Sequence, residues 1–303
     1  MPTTTEDLNA AGIREPLLRR AYGECNRLLA AHHVPVTWMR PMLPPHVRPY
    51  LDAMIAFWRY ADDLADDPAR SLAQRRADFD GFIDAFARML REEPGPAPAR
   101  EGEGEDTAFL LSLAFSDFAR TWRIGENSIF LVARTTRDDI EIPAYETVAD
   151  LEGFMNAAGQ ITIWLCTMLE LADHSGPLAW SCGFQILDNL ADLRDDARLG
   201  KLYFPLEDLE RCGVRREDIE QDVAAGHATD AVRRLVALQA ERAGRFFAVA
   251  EDWCHRAPAP GCDVFRVLVG QAQQVVACLE QHGHDPFAAF AVISAENPPD
   301  LAA

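Results

Sequence analysis

The chain has 303 residues, 49% of them hydrophobic, enough to bury a sizeable core and to exclude an intrinsically disordered protein. Its 29 basic and 48 acidic residues give a formal charge of −19, which repels nucleic-acid backbones and anionic membrane surfaces. A phosphate-bearing ligand therefore requires local cations, and Lys201 is the only lysine in a chain whose basic charge is otherwise arginine.

Strand signals are scarce, whereas apolar residues recur at three- and four-residue spacing, so the chain reads as all-α. The spacing predicts helices over 7–31, 46–67, 71–92, 106–121, 125–140, 147–173, 177–198, 216–224, 228–256 and 262–281. Asp106-Thr107, and Thr147 ahead of Asp150 and Leu151, are start signals, while Gly213 and Gly261 mark expected stops. The stretch 92–105, EEPGPAPAREGEGE, reads as a flexible solvated loop, and 294–303 as a frayed tail. That loop is a tempting domain boundary. The acidic motifs on its two sides make chemical sense only in a shared cavity, however, so a single domain over 1–303 is expected.

The seven cysteines, Cys25, Cys166, Cys182, Cys212, Cys254, Cys262 and Cys278, are odd in number, scattered and free of C-x-x-C spacing. They predict neither a disulfide framework nor a zinc site and fit a reducing cytoplasm. The first residues contain no apolar core of a signal peptide, and the longest apolar stretch, Ile161 to Leu169, is too short to span a bilayer.

Two constellations carry chemistry. The first, Arg59-Tyr60-Ala61-Asp62-Asp63-Leu64-Ala65-Asp66-Asp67, closes a helix whose earlier part holds Leu51, Met54, Ile55, Phe57 and Trp58. Asp62 and Asp66 share a face, and like charges at that spacing cost a helix about 0.2–0.5 kcal/mol per pair unless a cation or solvent offsets them. Magnesium suits the pattern, because it takes one or two carboxylates, keeps waters and completes its shell with substrate phosphates. A solvated acidic helix end is the competing reading.

The second constellation places Asp188, Asp192 and Asp196 at four-residue steps along one helical face, followed by Arg198, Lys201, Tyr203 and the helix-stopping Pro205. Two such rows on apolar helices can hold metal around one diphosphate. Arg198, through its guanidinium fork, and Lys201, as a point charge, are candidates to grip the departing diphosphate. The plainer role for Arg198 is to complement the helix dipole or pair with Asp195.

At these residues the sequence resembles the squalene/phytoene synthase family of trans-prenyltransferases. The resemblance rests on Arg-x-x-Asp-Asp-x-x-Asp at Arg59 to Asp66, preceded by Leu43-Pro44-Pro45 and Ala56-Phe57. It returns at Gln185, Asp192, Asp196-Ala197-Arg198, Gly200, Tyr203 and Pro205, with order and spacing kept over residues 20–285. It implies an α-helical isoprenoid-synthase bundle around a central cavity, with magnesium, two or three ions, ionising an allylic prenyl diphosphate. By the same resemblance Asp62, Asp66, Asp192 and Asp196 are catalytic metal ligands, with Asp63 and Asp188 beside them in the metal set. Arg59, Arg198, Lys201 and Tyr203 line the diphosphate pocket, and Phe57, Trp58, Phe154, Gln160, Ile163, Trp164, Gln185 and Asp188 line the substrate pocket. No nicotinamide cofactor, nucleic-acid partner or transmembrane segment is expected, and peripheral membrane contact is compatible with a lipid substrate.

Two departures bear on the acceptor. The family usually has asparagine at the position of Asp188 and arginine or glutamine at that of Ala191. In Phe154 to Trp164 it typically has a leading tyrosine and a Val-Gly pair that keeps the prenyl tunnel open, and Ile163 falls near that glycine unless Gly159 takes its role. A branched side chain there fills space needed by a second long tail. The expectation is thus transfer from a short donor such as dimethylallyl diphosphate to an aromatic, carbazole-type acceptor in bacterial specialised metabolism. Head-to-head condensation of two prenyl diphosphates, to presqualene, squalene, hydroxysqualene or phytoene products, is the alternative. A catalytically silent binding subunit is a rival from another class, and a terpene cyclase lacks support because the second motif does not have that group's Asn/Ser/Glu spacing.

Overall fold

Helical spacing in the sequence becomes helix throughout, and no strand occurs among the described residues, which in the computed structural model are 4–31, 39–91, 103–141, 144–257 and 261–296. Most of the predicted loop and tail, 92–102 and 297–303, lie outside them. By its internal contacts the chain divides into two compact units, Met1–Glu141 and Ile142–Ala303.

In the first unit, α1 (Thr5–Ala10) and α2 (Pro16–Ala31) replace the single helix expected over 7–31. Gly12, at φ +75°, reverses the chain after α1, and Pro16 can begin a helix but not continue one. A short 3₁₀ turn, Arg40–Met42, precedes α3 (Arg48–Ala65), followed by α4 (Leu72–Arg91), α5 (Glu103–Thr121) and α6 (Glu126–Asp139). The start expected at Asp106 thus lies inside α5. Helices α3, α4 and α5 pack through aromatics: Phe57 stacks on Phe115 at 4.2 Å and 13°, with Phe82 and Phe86 at 4.8 and 4.7 Å from Phe57. An ion network fixes the entry to α3. Buried Arg40 donates to Asp52 and to Asp7, each at 3.0 Å, and Arg48 reaches the other Asp7 oxygen at 3.3 Å.

In the second unit, the predicted helix 147–173 is two, α7 (Val148–Ala158) and α8 (Gln160–Met168), joined at Gly159. Thr147 caps α7 in a reciprocal box with Asp150, as the sequence signal indicated. The predicted helix 177–198 is also two, α9 (Ser175–Ala191) and α10 (Leu193–Leu199), bent at Asp192. Beyond α11 (Leu206–Cys212) and α12 (Arg216–Ala225), the long α13 (Asp230–Arg256) packs on α9 and on α14 (Gly261–Gln281), and α15 (Pro286–Glu296) follows. Gly213 ends α11 at φ +66° as expected, but Gly261 opens α14, where a Cβ would come within 2.6 Å of Leu171. Helices α11 and α15 escaped the spacing analysis: α11 is a short helix directly after a helix-stopping proline, and α15 is apolar around its circumference. Asp285 caps α15, accepting from the N–H groups of Phe287 and Ala288.

Candidate active site

The first acidic motif is the last turn and a half of α3. Leu51, Met54, Phe57, Trp58, Ala61 and Ala65 are buried, which leaves Asp62 exposed and Asp63 and Asp66 half-exposed at the helix end. Asp66 caps the helix, its N–H donating to the carbonyl of Asp62 at 2.9 Å. Arg59 Nη2 lies 2.9 Å from Asp63 Oδ1, with about a third of each side chain exposed, 32% and 30%. The last turn of α3 holds no basic residue. Carboxylates therefore sit at the negative end of the helix dipole, where a cation is favoured.

The second motif repeats this electrostatic arrangement. Asp188 lies in the last turn of α9, again without a basic residue in that turn, and Asp192 caps it. The row does not follow one straight helix, because Asp192 (φ −88°, ψ 5°) separates α9 from α10. It survives the bend: Asp192 N–H donates to Asp188 O and Asp196 N–H to Asp192 O, each at 2.9 Å. Asp188, Asp192 and Asp196 are all half-exposed.

Past the row, Gly200 adopts φ +74° and closes α10 in a Schellman turn, with Lys201 N–H donating to Asp196 O at 2.9 Å. The turn drives Lys201 inward, leaving it 6% exposed, with Nζ 3.4 Å from Tyr203 Oη. Arg198 points elsewhere. It ion-pairs with Asp195, the two side chains 71% and 72% exposed, and it flanks an open groove with Arg194, Glu220 and Val223.

Tyr203 belongs to an aromatic trio. Its ring lies 6.1 Å from Tyr145 and 5.9 Å from Phe154, and those two are 5.5 Å apart. Tyr145 is set there by backbone pairing, since Leu206 N–H donates to its carbonyl at 2.9 Å. The sequence offered no signal for Tyr145, which lies outside any helix. Asp208 accepts from Gln239 at 2.9 Å and from Arg242 at 2.8 Å, and this buried cluster ties α11 to α13.

The remaining pocket candidates are differently placed. Phe57 is wholly buried among the aromatics of the first unit, and Trp58 packs edge-on against it at 5.4 Å, 8% exposed. Trp164 is 2% exposed within the second unit. Gln160 and Ile163 are half-exposed on α8, and Gln185, also half-exposed, has Nε2 3.5 Å from Asp188 Oδ2. Gly159 is the close-approach glycine of this stretch, because a Cβ there would meet Leu178 Cδ2 at 3.1 Å. Burial pushes the Cys166 thiol up to about 12 and the Cys182 thiol up to about 11, so neither supplies a thiolate nucleophile.

Among the described residues no three His, Cys, Asp or Glu side chains converge as a ready-made metal cage. A magnesium ion takes one or two carboxylates and fills its shell with water and phosphate oxygens, so carboxylates at the ends of α3 and α9, whose last turns hold no basic residue, fit it.

The squalene/phytoene synthase family model matches residues 30–296, a span containing both motifs. The chain is similar to a presqualene diphosphate synthase of Rhodopseudomonas palustris, 29% identical over 221 residues, covering 70% of this chain and 72% of that protein. It is 24% identical over 245 residues to the chloroplastic phytoene synthase of Daucus carota, covering 78% of this chain and 57% of that one. In three dimensions it is similar to a squalene synthase from Alicyclobacillus acidocaldarius, with a TM-score of 0.71 and 22% identity over 91% of this chain and 99% of the other.

Proposed function

The chain belongs to the squalene/phytoene synthase family, and from that premise we propose that it joins two prenyl diphosphates head to head after ionising one of them. The family's members are prenyltransferases, so the chain is an enzyme of isoprenoid biosynthesis that acts on prenyl diphosphates, and the family depends on divalent metal. The observation that carries the proposal is the continuous match across both acidic motifs, joined to relatives named for presqualene diphosphate and phytoene synthesis.

This reading takes the place of the aromatic acceptor suggested by Ile163 and Ala191. The relatives favour condensation, and Gly159, at the joint of α7 and α8, is a glycine of close approach within the stretch where Ile163 suggested an obstruction.

In the proposed mechanism Asp62, Asp66, Asp192 and Asp196 would hold magnesium, two or three ions, with Asp63 and Asp188 in support. Bound magnesium neutralises charge on the departing diphosphate. Lys201, driven inward by the Gly200 turn, donates to diphosphate oxygens, as do Tyr203 and Arg59. Arg198 joins them by exchanging Asp195 for the substrate. Tyr145, Phe154 and Tyr203 present ring faces that shield an allylic cation from water. All seven cysteines are free thiols, which accords with a reducing cytoplasm, and among the described residues no helix is long and apolar enough to cross a membrane.

The test is mass-spectrometric product analysis after incubation with magnesium and dimethylallyl, geranyl or farnesyl diphosphate, each with and without a hydroxycarbazole. A dimeric prenyl product from one diphosphate alone is expected. A prenylated carbazole, with no coupled product in its absence, would overturn the proposal.

A further inference from the structure

Helix α9 turns one polar side chain inward that the acidic row does not use. Asn189 follows Asp188 but shares its face with Ile186, Leu190 and, past the bend, Leu193, all of them buried. Its Oδ1 lies 3.5 Å from Gln185 Nε2, while its Nδ2 is sealed from solvent and has no hydrogen-bond partner among the described residues. Asn156 of α7 shows a local solution, donating to the Glu152 carbonyl one turn back at 2.8 Å. Asn189 does not take it. A buried amide N–H left unpaired is costly, and such groups in native proteins are met by protein or by ordered water. Asn189 lines a small cavity between α7, α9 and α13, walled by Leu151, Ile186 and Leu190, with Tyr203 and Gln239 as its other polar residues. A volume of about 10 Å³ suits a water and excludes any part of a prenyl chain.

Gln239 offers the second contact. Its Nε2 donates to Asp208 at 2.9 Å and its Oε1 accepts from Arg242 at 2.5 Å, which leaves one of the two carbonyl lone pairs. We infer that a single water occupies this cavity, accepting from Asn189 Nδ2 and donating to Gln239 Oε1, and that Asn189 is thereby a positioning residue for the carboxylate row. The bridge completes a polar path from α9 through Gln239 of α13 to Asp208 of α11, the helix that begins three residues after Tyr203. It ties the end of α9 that carries Asp188 and Asp192 to the segment that carries Lys201 and Tyr203. The apolar contacts of Ile186 and Leu190 are non-directional, whereas a hydrogen-bonded bridge fixes the rotation of the helix about its axis. The inference rests on the proposed binding of magnesium and diphosphate at these groups and adds the residue that holds the two sets in register.

Two measurements test it. A crystal structure of the wild type that resolves waters should show a peak within about 3.2 Å of both Asn189 Nδ2 and Gln239 Oε1, and a cavity without one overturns the inference. The second is the magnesium concentration that gives half-maximal binding of inorganic diphosphate, measured calorimetrically for the wild type, Asn189→Leu and Asn189→Ser beside their thermal melts. Leucine has nearly the volume of asparagine and suits apolar walls, so Asn189→Leu should melt no lower than the wild type. It should nevertheless raise the half-maximal magnesium concentration about tenfold, the effect of losing a group that supports metal ligands. Asn189→Ser keeps a donor and leaves room for water, and should stay within about threefold of the wild type. An unchanged magnesium requirement in Asn189→Leu reduces the water to packing and sinks the positioning role. If Asn189→Leu does not fold, Asn189→Ser decides: a tenfold rise there, with its melt unchanged, likewise overturns the role given to the bridge. Failure of the wild type to bind inorganic diphosphate with magnesium removes the proposed function and the positioning role together, whereas a wild type that binds while the variants show no difference removes the positioning role alone.

Discussion

Arg59 Nη2 lies 2.9 Å from Asp63 Oδ1, one turn away on α3, so the cation of the first acidic motif is held by a carboxylate of that same motif. Such a pair, a third exposed on each side, adds little stability, about 0–1 kcal/mol. Its use is to keep the guanidinium at the helix end. Arg59→Ala should therefore lower kcat/KM for a prenyl diphosphate about tenfold or more, with the melting temperature almost unmoved. Steady-state kinetics beside a thermal melt check it, and a change smaller than twofold takes Arg59 out of the diphosphate pocket.

Asp62 and Asp192 are solvent-accessible and not core residues, so replacing them should spare the fold. Asp62→Ala and Asp192→Ala are each expected to reduce turnover by about a hundred- to a thousandfold, as removal of a charge-stabilising group does at a reacting centre. Far-UV circular dichroism should be unchanged. Turnover retained in either variant, at saturating magnesium, contradicts its assignment as a metal ligand.

How far the sequence could be read follows from where its signals are local. The four-residue rows at Asp62–Asp66 and Asp188–Asp196, the box at Thr147–Asp150 and the stop at Gly213 each need only a few neighbouring residues, and each is in place in the structure. The breaks at Gly159 and Asp192 were not legible, because helical spacing of apolar residues runs through a bend that keeps the same face buried, whereas the break at Gly12 carried local signals, a glycine and then Pro16, that the apolar spacing alone overrode. Gly261 misled for the opposite reason: its need for glycine comes from Leu171, ninety residues away in sequence. The same holds for the site. Tyr145 reaches Tyr203 by pairing with Leu206, the first residue of α11, a contact that no periodicity encodes.

Asp7 links α1 to the entrance of α3, and its pKa shift predicts a pH response. Burial raises the carboxyl, but the Thr4 N–H and the Arg40 guanidinium outweigh that, leaving it below the ordinary carboxylate value. A depressed folded-state pKa means that the stabilisation is full above the unfolded value near ~3.9 and is lost as pH falls through the lower folded one. Asp7→Asn should cost about 1–3 kcal/mol near neutrality, since it removes one of the two carboxylates that hold buried Arg40 and leaves only Asp52. The difference from wild type should narrow below about pH 4. Urea unfolding of both proteins at pH 7 and pH 3 measures this, and a gap that is the same at both values rules out the ionised Asp7 as its source.

The seating of α9 on α13 depends on two missing side chains. A Cβ at Gly176 would lie 2.3 Å from the Trp253 ring, and one at Gly183 would lie 2.6 Å from Phe247. Both rings are almost wholly buried, at 2% for Trp253 and 1% for Phe247. Gly176→Ala or Gly183→Ala must therefore push α9 away from α13, at about 1–3 kcal/mol each, whatever alanine gains in helix propensity. The two predictions differ in their functional consequence. Gly183 stands five residues before Asp188, so displacement there moves the carboxylate row as well, whereas Gly176 lies at the far end of the helix. Gly183→Ala should then lower both melting temperature and turnover, and Gly176→Ala mainly the former. Equal loss of turnover per degree of melting in the two variants would show that the position of α9 along its length does not matter to the chemistry.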